Sequence, residues 1–498
     1  MAGKYYLGLD NGTTGTTALI LNENWESVGR GYKELTQHYP KPGWVEHDAI
    51  EIWNSILYAV SAACEEAGID ATQLACVGID NQGETVVLWD KATGVPVYNA
   101  IVWQDRRTAK YADSITEEYG GMVREKTGLM IDSYFSATKI KWILDNVDGV
   151  REKAESGRIL AGTLDTWIIW KMTHGRTFVT DVTTASRTML FNIHTKKWDQ
   201  VILDILGIER KMLAEIRDSS CVYGYTDPLD FFGARVPIAG SAVDQQAALF
   251  GQGCYAPGDI KCTYGTGCFM LMNTGEKPIY SRNGILTTVA WGIDGKMTFA
   301  LDGGVYITGA ATQWLRDKLQ IIDNAAQTEQ MAIDAGDNGD VFFVPAFSGL
   351  AAPHWDSYAR GMIIGITGGT TREHIVRACL ESTAYQVKDN LDVMRRDANI
   401  PINRMRVDGG AVVNNFLMQF QADMLGIPID IPKIHDTTPL GAAYLAALGV
   451  GEFKTLDEIT EKWQLEKSFE PNMSMDERET LLYKWHKAVE RSKNWVEE

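Results

Sequence analysis

No Cys-x-x-Cys pair occurs in this chain. Its seven cysteines, Cys64, Cys76, Cys221, Cys254, Cys262, Cys268 and Cys379, form an odd and scattered set. That excludes a zinc or dithiol redox site of the usual spacing and fits free, buried thiols in a reducing cytosol. No Gly-Lys-Ser/Thr follows a glycine-rich turn, and no Gly-x-Gly-x-x-Gly is complete, so neither a P-loop nor a Rossmann dinucleotide site is expected. Basic residues are outnumbered, 47 Lys and Arg against 65 Asp and Glu, for a formal net charge of −18. Nothing basic and extended is left for nucleic acid or an anionic membrane. An anionic nucleotide, which needs only local donors, is not excluded. No apolar run approaches the length of a membrane span. From Met1-Ala2-Gly3-Lys4 the chain passes straight into a first strand, so no signal peptide is expected. The expectation is a cytoplasmic protein without membrane insertion and without a nucleic-acid partner.

What is present is a globular composition, 45% hydrophobic and 22% charged, in 498 residues. That length exceeds one core and predicts two large domains. Apolar residues run from Leu7 to Asp10 and resume at Ala18, with Asn11-Gly12-Thr13-Thr14-Gly15-Thr16-Thr17 between them. This reads as strand, tight turn, strand. The glycines let backbone N–H groups approach a ligand, Thr13 and Thr14 add donors without bulk, and Asp10 at the strand end suits a hydrated magnesium ion. An ordinary hairpin turn would look the same. A second copy favours the ligand: Asp259 to Met272 repeats the design around Tyr264-Gly265-Thr266-Gly267. Two phosphate-type hairpins, one per half, suggest a duplicated fold with a nucleotide held between the halves. The boundary is placed near residue 250, giving domains 1–250 and 251–498.

Other stretches fill in the plan. Asp48 is expected to cap a helix, with Glu51 closing a capping box, and Ile52, Trp53, Ile56, Leu57 and Val60 facing inward. Leu74 to Asp80 reads as a buried strand that delivers Asn81-Gln82-Gly83-Glu84-Thr85 at its end, where open α/β folds place ligands. Trp103-Gln104-Asp105-Arg106-Arg107 is either the floor of a polar pocket or a core Trp beside a surface ion cluster. Asp244-Gln245-Gln246 starts a helix of small residues; its Asp is either a proton acceptor for a substrate hydroxyl or an N-cap. Thr308-Gly309 starts another helix, Phe342 to Phe347 is a strand, and Thr371 caps a long helix. Asp408-Gly409-Gly410 is a turn between strand and helix, where Asn414 can bond a ligand. Thr438 to Ala447 is a small-residue helix suited to close packing between domains, and the tail from Lys454 reads as charged, helical and superficial.

Taken together, Asp10 to Thr14, Asn81 to Thr85, Trp103 to Arg107, Asp244 to Gln246, Tyr264 to Gly267, Asp408 to Gly410 and Ser186-Arg187-Thr188-Met189-Leu190-Phe191-Asn192 resemble the FGGY carbohydrate kinase family, most closely its glycerol kinases. The resemblance runs from about residue 4 to about 450. It implies an α/β fold of two actin-like, ribonuclease-H-like ATPase domains with a cleft between them, and ATP-dependent phosphorylation of a small polyol, glycerol before others. It implies ATP and Mg2+ as cofactors and a homodimer or homotetramer. By the same resemblance, Asp10 would organise the metal and Asp244 would be the catalytic base. Thr13, Thr14, Gly15, Thr266, Gly309, Gln313, Gly410 and Asn414 would line the nucleotide site. Gly83, Glu84, Trp103, Tyr134, Asp244, Gln245 and Phe269 would form the polyol pocket. An actin- or chaperone-like ATPase without a sugar substrate is the reading from another class.

Three departures from the family pattern stand out. Gly83 occupies the place of an arginine that binds substrate hydroxyls, which predicts a pocket with room for a longer polyol such as erythritol. Thr17 replaces an arginine near the transferred phosphate, so that contact is absent or supplied elsewhere, and Asn11 for the usual Gln is a milder change. The loop Leu229-Asp230-Phe231-Phe232-Gly233 has Asp230 where a phosphorylatable His is expected, and no glycine- and lysine-rich fructose-bisphosphate loop precedes Val236. Neither control is expected to operate.

Overall fold

The computed structural model describes residues 3–356 and 358–497. Met1 and Ala2, on which the reading of the chain's start rests, and Glu498 lie outside the described residues. The strands of the two large sheets are numbered here in chain order. In the first half, β1 (Tyr5–Asn11), β2 (Gly15–Leu21), β3 (Ser27–Glu34), β4 (Leu74–Asn81), β5 (Ser220–Tyr225) and β6 (Pro237–Val243) form a sheet ordered β5-β6-β4-β1-β2-β3. In the second, β7 (Ile260–Tyr264), β8 (Cys268–Gly275), β9 (Leu286–Ile293), β10 (Lys296–Val305), β11 (Met405–Gly409), β12 (Ile429–Pro432) and β13 (Leu465–Phe469) are ordered β9-β10-β8-β7-β11-β12-β13.

The two sheets share one plan. Each begins with a hairpin, β1-β2 or β7-β8, extended by an antiparallel strand, β3 or β10. On its other side the first strand pairs in parallel with β4 then β6, or β11 then β12. Each carries an antiparallel edge strand beyond that, β5 or β13. This is the duplicated α/β architecture that the two threonine hairpins predicted, and it is the actin-like topology.

Helices cover the sheets: α1 (Ala49–Ala67), α2 (Asp244–Gly251), α3 (Gly309–Asp317), α4 (Arg372–Ala398), α5 (Asn415–Leu425) and α6 (Thr437–Gly449). The small-residue helix α6 comes from the second half yet packs on the first sheet. A Cβ on Gly8 would fall 1.9 Å from the Pro439 carbonyl oxygen, and one on Gly78 would fall 1.9 Å from that of Ala442. Strand and helix backbones touch there, which glycine alone permits. Leu440, Ala443 and Tyr444 of α6 share one core with Tyr6 and Leu19 of the first sheet and Leu271 and Ala300 of the second. The halves are therefore joined through packed apolar surface, at about 25 cal/mol for each Å² removed from water.

Local details differ from the sequence reading in three places. Asp48 caps α1, accepting from the Ile50 and Glu51 amides, but Glu51 does not turn back to it. Its Oε1 instead accepts from the Thr36 amide and hydroxyl, both at 2.9 Å, so a tertiary contact replaces the box. The strand from Phe342 ends at Val344, because Pro345 offers no N–H to a ladder. The charged tail is not all helix: Leu465–Phe469 joins the second sheet as β13 before the helix Met475–Ser492.

Candidate active site

The strands β1, β4 and β6 run parallel, so their carboxyl ends lie side by side. Asp10 of β1 stands opposite Asp80 of β4, which stands opposite Ala242 of β6, and α2 begins with Asp244 just beyond. Ligands in open α/β sheets bind at such an edge. Burial pushes the Asp10 carboxyl up to about 6. Burial, with the charges of Asp10 and Glu84, pushes Asp244 up to about 7. Asp80 is driven well above the carboxylate range by burial and by Asp10. No donor reaches either oxygen of Asp80. The second half shows what a satisfied carboxylate looks like at the corresponding position: Asp408 of β11, opposite Thr263 of β7, accepts from Gln252 Nε2 at 2.7 Å and Thr437 Oγ1 at 2.6 Å. Asp80 lacks such donors, and a divalent cation beside it and Asp10 would offset their charge. Hard carboxylate oxygens suit Mg2+, which keeps several waters and needs only one or two protein ligands. Among the described residues no cluster of three or more His, Cys, Asp and Glu side chains forms a closed metal cage. Asp10 and Asp80 lie on paired positions of neighbouring strands at this edge. Asp244 does not cap its helix; its Oδ1 accepts from the Gln245 amide at 2.7 Å.

Beside this edge the expected polyol residues assemble from both halves. Trp103 Nε1 donates to Thr13 Oγ1 at 2.8 Å, which links the aromatic wall to the first threonine turn. The Trp103 ring meets Tyr134 edge-on, 5.5 Å between centroids, and Phe269 of β8 at 6.4 Å. Trp103 thus stands among aromatic rings from both halves, while its neighbour Arg107 is buried in an ion cluster with Asp105 and Glu46. Lys139, buried, donates to the carbonyls of Tyr134 at 2.5 Å and Phe135 at 3.1 Å. Burial lowers its ammonium to about 7. Lys261 of β7 reaches across to Gln245 Oε1 and also donates to Thr263 Oγ1 at 3.0 Å and the Phe269 carbonyl at 3.3 Å.

The nucleotide candidates are less tightly joined. The Gly265-Thr266-Gly267 turn is bound to the start of α3, with the Gly309 amide 3.2 Å from the Gly265 carbonyl and the Ala310 amide 3.0 Å from that of Thr266. Thr266 and Gly309 are therefore neighbours. A Cβ on Gly309 would lie 2.4 Å from the Gly265 oxygen, so this approach requires glycine. Thr14 is exposed and Gly15 is buried under Tyr32. Gly410 is exposed, with open space where a side chain would be. Asn414 caps α5, accepting from the Leu417 amide at 2.9 Å, and its amide donates to Thr328 at 3.2 Å. Gln313 is exposed on α3 and makes no side-chain hydrogen bond among the described residues.

The space predicted at Gly83 is not there. A Cβ at this position would lie 2.8 Å from both methyls of Val243 and 3.3 Å from Arg187 Cγ. The gap is closed by packing and by another cation, which overturns the expectation of a roomier pocket for a longer polyol. At the other substituted position, Thr17 pairs with Asp10 across the hairpin. Burial and the charge of Asp436 raise Asp10, while a hydrogen bond from Asp80 and the charge of Arg30 lower it. Arg30 is gripped by Asp436, with Nε at 2.8 Å. Asp230 is held by His174, whose Nδ1 lies 2.7 Å away.

Sequence reasoning missed Asp80, Arg187, Lys139 and Lys261. Asp80 had a signal: it ends a buried strand in the same manner as Asp10. The other three are cations on buried faces, where only pairing across the fold reveals their partners.

Two hydroxyl-rich turns on duplicated sheets, a buried carboxylate edge and an aromatic-walled polar pocket beside it define a phosphotransferase of the actin-like class. The comparisons with known proteins agree. The N-terminal domain of the FGGY family of carbohydrate kinases matches residues 5–251, and its C-terminal domain matches residues 260–450. "Glycerol kinase 2" of Thermotoga maritima is 60% identical over 99% of both chains. "Glycerol kinase" of Caldanaerobacter subterraneus subsp. tengcongensis is 56% identical over 99% of this chain and 100% of that one. The crystal structure of Plasmodium falciparum glycerol kinase with ADP superimposes with a TM-score of 0.91 at 36% identity, over 98% of each chain. The protein belongs to the FGGY family of carbohydrate kinases. Among the described residues no helix is long and apolar enough to cross a membrane.

Proposed function

We propose that this protein transfers the γ-phosphoryl group of ATP to a terminal hydroxyl of glycerol, forming glycerol 3-phosphate and ADP. The observation that carries this reading is the position of Asp244, a carboxylate raised to about 7 at the rim of a pocket shared by Glu84, Trp103, Tyr134 and Phe269. The names and full-length similarity of its relatives support glycerol as the polyol.

A polyol hydroxyl is a poor nucleophile. Asp244, ionised, takes its proton as the oxygen bonds to phosphorus, and a base with a pKa near the working pH does this best. Glu84, Gln245 and Tyr134 orient the hydroxyls, and Trp103 and Phe269 wall the carbon chain. Thr13, Thr14, Gly15 and Thr266 offer donors to phosphate oxygens, and Gly309, Gln313, Gly410 and Asn414 line the nucleoside. Asp10 and Asp80 would hold Mg2+, which supplies charge neutralisation at the phosphates. Positioning and electrostatics are most of what phosphoryl transfer needs. In this reading residues 1–250 carry the polyol and first phosphate contacts, and residues 251–498 carry the nucleotide. The enzyme works in the cytoplasm as a homodimer or homotetramer, with symmetry expected of such assemblies.

The test is ADP release with Mg2+-ATP and a panel of glycerol, erythritol, threitol, dihydroxyacetone, xylitol and xylulose, compared by kcat/KM, the ratio that measures discrimination. Glycerol is expected to lead. Preference for a four-carbon polyol, or hydrolysis without a phosphorylated product, would overturn the proposal.

A further inference from the structure

Arg187 follows the short helix Val182–Ser186 and is 3% exposed. Its Nε donates to Glu84 Oε1 at 2.6 Å and its Nη1 to Asp302 Oδ2 at 2.9 Å. Among the described residues neither carboxylate has another hydrogen-bond donor, so one guanidinium serves both. The cation also lies 5.6 Å from the centroid of the Tyr134 ring and 5.5 Å from that of Phe135. Glu84 belongs to the loop after β4 in the first half. Asp302 belongs to β10 in the second, on the strand that pairs with β8, where Phe269 stands opposite Gly304. The bridge therefore crosses from one half to the other inside the polyol pocket. Arg187 Cγ and Val243 together occupy the place into which a side chain at position 83 would grow.

We propose that Arg187 is a positioning residue that fixes Glu84 for the polyol and clamps it to Asp302 on the second sheet. This rests on reading the pocket as the glycerol site. A planar fork can hold two carboxylates at once, whereas a lysine ammonium is a point charge that holds one geometry poorly. The orientation of Glu84 then depends on where the second half stands, so the pocket is complete only when Asp302 is in place.

The test is steady-state kinetics of the full chain with Mg2+-ATP, varying glycerol and ATP separately, for wild type, Arg187→Lys, Asp302→Asn and the double variant. Loss of one charged hydrogen bond predicts that Asp302→Asn raises KM for glycerol about tenfold or more. KM for ATP and the melting temperature should stay close to wild type. The double variant should be no worse than Arg187→Lys alone, because the bridge is already gone. If Asp302→Asn fails to fold, Asp302→Glu, which keeps the charge but moves it, is read the same way. A glycerol KM within twofold of wild type, losses that multiply in the double variant, or equal rises in both KM values would overturn the clamp. A wild type inert toward glycerol takes down the functional reading and the clamp with it; an active wild type with an indifferent Asp302→Asn takes down the clamp alone.

Discussion

The indole N–H of Trp103 is bonded to the hydroxyl of Thr13 at 2.8 Å. In the proposed reaction Trp103 walls the polyol and Thr13 sits in the first phosphate turn, so this one hydrogen bond would set the spacing between the two reacting partners. Trp103→Phe keeps the apolar wall and removes the donor, and Thr13→Val removes the acceptor. A neutral hydrogen bond contributes about 0.5–1.5 kcal/mol, so each change is expected to lower kcat/KM about three- to tenfold. The two changes should not add, since either alone breaks the contact. A double-mutant cycle on kcat/KM for glycerol checks this; strictly multiplicative losses would mean the bond plays no part in positioning.

The contact between Gly83 and Val243 makes a second prediction. Gly83→Ala places a methyl group 2.8 Å from both Val243 methyls. Such overpacking costs about 1–3 kcal/mol, to be read as a lowered urea midpoint. Val243→Gly in the same chain should recover most of that loss, because it removes both clashing groups. Returning an arginine to position 83 is expected to be tolerated only in the Val243→Gly background. If Gly83→Ala is neutral alone, the region is softer than its geometry says.

Much of this was legible from local pattern. The two threonine hairpins, the Asp48 cap and the small-residue helix at Thr438–Ala447 are written in neighbouring residues, and the fold places them as expected. The misreadings came where distant residues decide. Glu51 answers to Thr36 rather than to its own helix start. Asp80 matters because β4 aligns it with Asp10, and that register is a tertiary fact. In sequence Gly83 reads as an opening, but Val243, far along the chain, fills it. Arg187 stood in a motif of the resemblance, yet its partners Glu84 and Asp302 lie on opposite sides of it in sequence and meet only in the folded chain.

If Asp244 is the base of the proposed reaction, it sets the pH dependence. Burial first, then the charges of Asp10 and Glu84, raise its carboxyl to about 7. The base must be ionised to accept a proton, so kcat/KM should fall as pH drops through about 7. Saturating Mg2+ should move this limb to lower pH, because a nearby cation favours the ionised form. Asp244→Asn should lose about 10²- to 10⁴-fold in kcat and lose the limb as well. A pH–rate profile of both proteins decides it; an Asp244→Asn enzyme that retains the acid limb would assign the titration to another group.

Metal binding should also be visible without any substrate. With Asp10 raised to about 6 and Asp80 raised well above the usual carboxylate range, the folded state holds protons that the unfolded chain has already lost above pH 4. Stability falls with rising pH wherever the folded state binds more protons, so these groups weaken the metal-free fold as pH climbs from about 4 through their folded values. Mg2+ competes with those protons. Its stabilising effect should therefore be small at pH 5.5 and larger at pH 8, approaching about 2.7 kcal/mol when the ion is a hundredfold above its Kd. Thermal melts with Mg2+ and with chelator at the two pH values measure this difference. Asp80→Asn, which removes one carboxylate, should raise the melting temperature of the chelated protein at pH 8 and blunt the response to Mg2+. A response equal at both pH values would place the metal away from these carboxylates.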